Sequence, residues 1–320
     1  MERVGSIDAF RGIAIILMVF FTLTQALSED LPDALKHNVA DQLHFGDFVL
    51  PMFLFASGMS IVFFVKKHRA KGRERFILDI IERSGILLVI SALLSIFSTG
   101  EILGMDVIML SLILFLGTIL IFNLKSAYVL GLIVLIFLSY VLLVHLGIEP
   151  IMPDKHLGGY PAALFYFPVM LSGMLIGKEL EKRSFKGMRK LGIVYLCFFI
   201  VFALLSPIDK MTATPAFMAL SVLLSIVFFA VIELLMKRGL EFNALRWLGR
   251  KPLRYWILMF VVFIIPLGYF TVTNGDEFPL QICWPVGILT SLGVMILLAA
   301  VSWLIDCGMR ILKEGIIGRD

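Results

Sequence analysis

Charge is what this chain has least of. Only 16% of its 320 residues are Asp, Glu, Lys or Arg, 60% are hydrophobic, and the mean hydropathy is +0.98. A water-soluble domain of this length needs a polar surface that such a composition does not supply, so that class is excluded. Cysteine is scarce as well: Cys197, Cys283 and Cys307 stand far apart with no CxxC among them, which excludes a disulfide framework and a thiolate metal site. The 16 methionines show no MxxM spacing and read as membrane packing rather than a copper path. No linker rich in Gly, Pro or Ser interrupts the chain, which reads as one domain over residues 1–320. No duplication relates its halves, which weighs against an inverted-repeat transporter. No histidine lies deep in an apolar run, so a proton relay through the bilayer core has nothing to run on.

What the chain does have is apolar runs long enough to cross roughly 30 Å of hydrocarbon at about 1.5 Å per residue. They fall at 12–27, 48–65, 80–98, 103–122, 127–146, 161–177, 191–206, 214–236, 253–273 and 282–305. The expected architecture is therefore all-α, a polytopic integral-membrane bundle of about ten helices. Of the 28 lysines and arginines, only Lys36, Lys155 and Lys210 fall in the segments alternate to the N-terminus. By the positive-inside rule both termini are expected in the cytoplasm, with the protein multi-pass in the cell membrane. That asymmetry also accounts for the net charge of +4, which therefore carries no message about nucleic acid. The first span, with Thr24 and Ala26 as a weak cleavage site, is read as retained, because the SIDAFRG motif before it is more than a disposable peptide needs. Trp247, Trp256, Trp284 and Trp303 sit where an aromatic belt is expected, and Glu233 and Asp306 lie near enough to helix ends to snorkel.

Residues 37–58, HNVADQLHFGDFVLPMFLFASG, carry the densest polar signal. After Pro32, Leu31, Leu35, Val39 and Leu43 recur every four residues, with His37, Asp41 and His44 on the opposite face, the pattern of a short helix lying in the interface. Three readings of that polar face stand open. It is a solvated surface; or His37 is a general base tuned by a nearby carboxylate; or His37, Asp41 and His44 bind a divalent metal. Asp47 is placed to cap the second span and to orient a histidine. Asp8 and Arg11 are expected to pair across one helical turn, and Asp106 lies near the outer end of the fourth span.

The N-terminal residues carry a resemblance. Arg3, Ser6, Asp8, Arg11 and Gly12, then a histidine (His37) ten residues before Asp47, and Val49, Pro51, Phe53, Phe55, Gly58 and Ser60 follow a pattern similar to that of the heparan-α-glucosaminide N-acetyltransferase catalytic-domain family of transmembrane acyltransferases. ERSGILL at Arg83 and LGRKPLRYWIL around Gly249, Pro252 and Tyr255 resemble further family segments. Thr22 stands where the family usually has asparagine, and Ala40 and Gln42 where it has tryptophan and glycine, so the acceptor is open to difference.

The resemblance implies acyl transfer across the membrane from cytosolic acetyl-CoA to an amine or hydroxyl of a glycan or amino-sugar acceptor at the outer face. His37 would act as general base or carry the acyl group, with Asp47 and Thr22 beside it and no metal. Arg11 and Arg83, backed by Lys66 and Lys67 and with Asp8 as partner of Arg11, would hold the phosphates of CoA. For the lysines a purely topogenic role competes. The partners implied are the bilayer, acetyl-CoA and the acceptor, with room for a homodimer. The alternative is a transporter or flippase of a polar, lipid-linked substrate without acyl transfer.

Overall fold

A computed structural model describes residues 4–36, 42–152, 155–182, 184–274 and 282–317. His37, Val39, Ala40 and Asp41 lie outside the described residues, as does Arg3. The long helices are α1 (Gly5–Leu27), α2 (Val49–Arg69), α3 (Arg73–Thr99), α4 (Val107–Ile121), α5 (Ser126–His145), α6 (Ala162–Glu181), α7 (Phe185–Leu205) and α8 (Pro215–Lys237). Two short helices follow, α9 (Asn243–Gly249) and α10 (Pro252–Leu258). Through a π-helical stretch (Met259–Ile264), α10 leads into α11 (Ile265–Asn274), and α12 (Trp284–Ile317) closes the chain. Two-residue strands, β1 (Ser28–Glu29) and β2 (Ile282–Cys283), pair in parallel.

Among the described residues nine helical segments are long and apolar enough to cross a membrane, and α4, at 15 residues, is a shorter tenth. The chain is an all-α, multi-pass membrane protein. The fourth span starts later than its apolar run suggests because Asp106 caps α4, its Oδ1 accepting from the Met109 amide at 2.6 Å. The π-helical stretch precedes Pro266, whose missing N–H and ring clash disfavour regular α-helical geometry one turn earlier.

The helices divide into an inner set and a lipid-facing set. Helices α1, α2 and α6 are mostly buried, whereas α3, α5, α7 and α12 present apolar faces such as Ile81, Leu93, Leu135, Leu204, Leu289 and Ile296 to the surroundings. The first span is thus a central element of the bundle. Small residues let the inner helices touch backbone to backbone, the usual device where lipid offers no hydrophobic contrast. A Cβ on Gly58 would sit 2.1 Å from the Met170 carbonyl oxygen, and one on Gly173 2.1 Å from that of Phe55, locking α2 to α6. Gly12 and Gly249 do the same for α1 and α9: added Cβ atoms would lie 2.0 Å from the Leu245 oxygen and 1.8 Å from the Asp8 oxygen. Phe10 fills the space between, edge-on to Phe55 (6.2 Å) and Phe229 (5.8 Å).

Residues 37–41, the middle of the expected interfacial helix, lie outside the described residues; among the described residues of the loop after α1 there are 3₁₀ turns at Asp33–Leu35 and Phe45–Phe48, and Lys36 and His44 are extended. Lys36 Nζ closes on Asp33 at 2.8 Å, holding that carboxyl below its usual range.

Candidate active site

Asp8 and Arg11 stand one turn apart on α1. Arg11 Nη2 donates to Asp8 Oδ1 at 2.6 Å, Nη1 to Ser60 Oγ on α2 at 3.0 Å, and Nε to the Gly249 carbonyl at the end of α9 at 2.5 Å. Arg250 Nε reaches Asp8 Oδ2 at 3.6 Å. One guanidinium therefore ties three helices together, and the close Gly12–Gly249 approach brings the acceptor carbonyl into range. SIDAFRG, Ser60 and the LGR of the C-terminal part form a single clamp.

That clamp is one wall of a cavity of about 780 Å³ whose lining reaches the end of the bundle holding the N-terminus. Around it stand the cations Arg11, Lys67, Arg83, Arg250 and Lys251 and the carboxylates Asp8, Asp79 and Glu82. Lys67 and Arg83 make no ion pair with the described residues. The Arg83 guanidinium lies over the rings of Phe64 and Phe115, at 5.1 and 5.0 Å, so it is held in place while its charge remains available to an anion. His68 stacks on Phe64 at 4.4 Å and its Nδ1 is bonded to Asp79, which Lys71 (3.5 Å) and Arg75 (3.3 Å) also approach. Lys251 is held by Asp306, with Arg254 Nη1 (2.5 Å) and Trp247 Nε1 (3.0 Å) on the same carboxylate. Asp306 is thus a clamp between α12 and α10, not a snorkelling surface group. Lys66 points elsewhere: it pairs with Glu181 on α6 and is no part of the cavity wall.

At the opposite end of α1 lies a second cavity, about 280 Å³, lined by Thr22, Gly46, Asp106, His156 and Lys210 above an apolar floor. Its polar side chains come from α1 (Thr22) and from three separate connections. Asp106, 4% exposed, accepts from Ser91 Oγ at 2.7 Å. His156 Nδ1 pairs with the Met105 carbonyl at 3.0 Å. Lys210 Nζ, from the α7–α8 loop, donates to Asp47 Oδ1 at 3.1 Å; burial pushes this lysine below its usual range while Asp47 opposes the shift. Asp47, 1% exposed, also accepts from the His44 amide through Oδ2 at 2.8 Å, and His44 Nδ1 stands 3.8 Å from that same oxygen. The aspartate expected as a helix cap thus closes the turn just ahead of α2.

The two cavities share Met18, Val107 and Trp256. Trp256, expected in an interfacial belt, is 8% exposed and forms part of the partition between them. Of the site residues expected from sequence, Asp8, Arg11, Arg83 and Lys67 gather at the first cavity, and Thr22 lies in the second with Asp47 behind it. His37 is outside the described residues. Sequence reasoning missed Arg250, Lys251, His68 and Asp79 at the first cavity and His156 and Lys210 at the second. The basic ones were absorbed into topology, and nothing local signals their partners.

A search of the curated proteins finds no match for this chain. The family described as heparan-alpha-glucosaminide N-acetyltransferase, catalytic, matches residues 3–206, which include Asp8, Arg11, Asp47, Ser60, Arg83 and both loops that carry Asp106 and His156. With that match spanning most of its length, the chain belongs to the heparan-alpha-glucosaminide N-acetyltransferase catalytic-domain family of membrane acetyltransferases.

Proposed function

We propose that this protein moves an acetyl group from acetyl-CoA, bound in the larger cavity from the cytoplasmic side, to an amine or hydroxyl of a glycan-type acceptor held at the smaller cavity on the other face. The observation that carries the reading is the pair of cavities meeting at Met18, Val107 and Trp256. The larger one suits a polyanionic thioester. Arg83 and Lys67, without ion pairs among the described residues, offer charge to phosphates, and Phe63, Phe64 and Phe115 offer apolar surface to the rest of the donor. The bias of lysine and arginine toward the N-terminal face supports a cytoplasmic donor side and cytoplasmic termini.

On this reading the acceptor atom attacks the thioester carbonyl at the partition. A new bond forms to the acyl carbon, the C–S bond breaks, the acceptor's proton passes to His37, and CoA leaves as the thiol once that proton is returned. Imidazole suits the task because it titrates near neutral pH. The role of His37 rests on its place in the family pattern, ten residues before Asp47. Arg11 and Asp8 hold the wall at which the donor lies, and Asp47 with Lys210 braces the turn that starts α2.

The test is acetyl-CoA added to the purified full chain in detergent, read as thermal stabilisation, followed by release of CoA thiol when an amine acceptor is supplied. Stabilisation together with acceptor-dependent thiol release supports the reading. A chain indifferent to saturating acetyl-CoA removes it.

A further inference from the structure

The larger cavity changes character along its length. Its α1 wall alone runs from Ile7 to Met18, about 17 Å at 1.5 Å per residue. Every ionisable side chain of the lining stands no deeper than Arg11 on α1 and Arg83 on α3. Beyond them the walls are Ile15, Met18, Phe53, Leu87, Val107 and Ile108. A donor with its phosphates among the cations would therefore meet a purely apolar inner end, where shape is the only means of discrimination left.

That inner end is closed by Met18, Val107 and Trp256, the three residues shared with the smaller cavity. Methionine is flexible and valine small, so the large, rigid surface is the indole. Trp256 is 8% exposed and backed by the ring of Phe260 at 5.5 Å. The helix that carries it, α10, is fastened at its start, where Lys251 and Arg254 Nη1 (2.5 Å) both reach Asp306 on α12. A close-packed ring on an anchored helix does not swing aside at low cost.

A thioester whose carbonyl lies at this partition has its sulfur toward the cations and its acyl chain on the far side. For an acetyl group that chain is one methyl. Each further methylene must press on the indole or enter the smaller cavity, where it would stand in the way of the attacking atom. The apolar walls would still hold such a chain, so longer donors bind without reacting.

We infer that Trp256 is the specificity-determining residue for acyl-chain length: its indole stops the chain at acetyl, and a smaller side chain at this position admits longer acyl donors. The inference rests on the acyl-transfer reading and adds to it a donor selectivity and the residue that carries it.

The experiment supplies the purified full chain in detergent with acetyl-, propionyl- or butyryl-CoA and with glucosamine as amine acceptor. CoA thiol release is read for wild type, Trp256→Phe and Trp256→Ala. In the wild type kcat/KM should fall about 10- to 200-fold between acetyl- and butyryl-CoA, while butyryl-CoA stabilises the protein against heat as acetyl-CoA does and inhibits acetyl transfer. Trp256→Ala should bring the two donors within about threefold of each other, with Trp256→Phe between. An indole that merely packs would lower turnover of all donors alike and leave their ratio where it was. A flat chain-length profile in the wild type, or an unchanged ratio in a variant that acetyl-CoA still stabilises, overturns the inference and leaves acyl transfer standing. Where Trp256→Ala does not fold, the ratio in Trp256→Phe decides. No thiol release from any donor removes the acyl-transfer reading and the inference with it.

Discussion

The two cavities of this protein use polar groups in opposite ways. At the N-terminal face, cations outnumber carboxylates around a wide space, and two of them, Lys67 and Arg83, make no ion pair with the described residues. At the other face the space is about a third as large, its one lysine is already bound to Asp47, and imidazole, hydroxyl and carboxylate acceptors remain. One end is lined by cations in excess, the other by a paired lysine beside hydroxyl, imidazole and carboxylate groups. The same α1 serves both, with Arg11 at one end and Thr22 at the other, three turns apart. The lesson is that a helix which looks like a plain apolar span can carry a chemical division of labour at its termini, where polar side chains cost least.

The largest expected break in that division comes from His37→Ala. If the proton passes to His37, kcat for acyl transfer should fall about 10²- to 10⁴-fold. Thermal stabilisation by acetyl-CoA, which reports the other cavity, should stay as in the wild type. Unchanged turnover would remove His37 from catalysis.

The partition offers a second break. Met18→Trp adds bulk where the cavities adjoin, and a donor displaced by about an ångström from its acceptor loses on the order of 10²-fold in rate. Thiol release should drop by that factor while acetyl-CoA still stabilises the protein. Retained turnover would mean that reaction does not occur across this partition.

A smaller effect sharpens the donor side. Arg83→Gln keeps a polar side chain but removes the charge held over Phe64 and Phe115. A charge-assisted contact to phosphate is worth about 1.5–3 kcal/mol, so the Kd for acetyl-CoA, measured by titration, should rise about 10- to 100-fold. The Kd for dephosphorylated pantetheine thioesters should change far less. Equal losses for both donors would place Arg83 away from phosphate.

Much of the N-terminal face was legible in sequence because its determinants are local. Asp8 and Arg11 are one turn apart, and the family pattern already joins them to Gly58 and Ser60, whose roles are a backbone contact and a hydroxyl for Arg11. The multi-pass helical fold was legible for the same reason, since length and apolarity are properties of single segments. Partnerships made at long range were not. Arg250 and Lys251 looked like two more topogenic charges, yet the Gly12–Gly249 contact carries them to the cavity. Trp256 looked interfacial because its neighbours are apolar, and Pro266 was the sequence sign of the irregular helix that the structure shows as a π-helical stretch after it. His156 stands in a short loop with no neighbouring motif to mark it. The Gly158–Gly159 pair behind it was the one available hint of a strained turn.

The smallest effect separates topology from binding within one basic run. Lys66 and Lys67 are adjacent on α2, so successive side chains diverge by about 100°, and the structure sends Lys66 to Glu181 and Lys67 to the cavity. The Lys66–Glu181 pair is more than a quarter exposed on both sides, the regime in which an ion pair is worth about 0–1 kcal/mol. Lys66→Ala should therefore lower thermal stability slightly and leave the acetyl-CoA Kd within about twofold. Lys67→Ala should raise that Kd several-fold, and added salt should narrow the difference between wild type and variant by screening the phosphate contact. Equal effects of the two substitutions on Kd would mean that the run acts as a diffuse positive field, and that the larger cavity does not select its ligand through individual side chains.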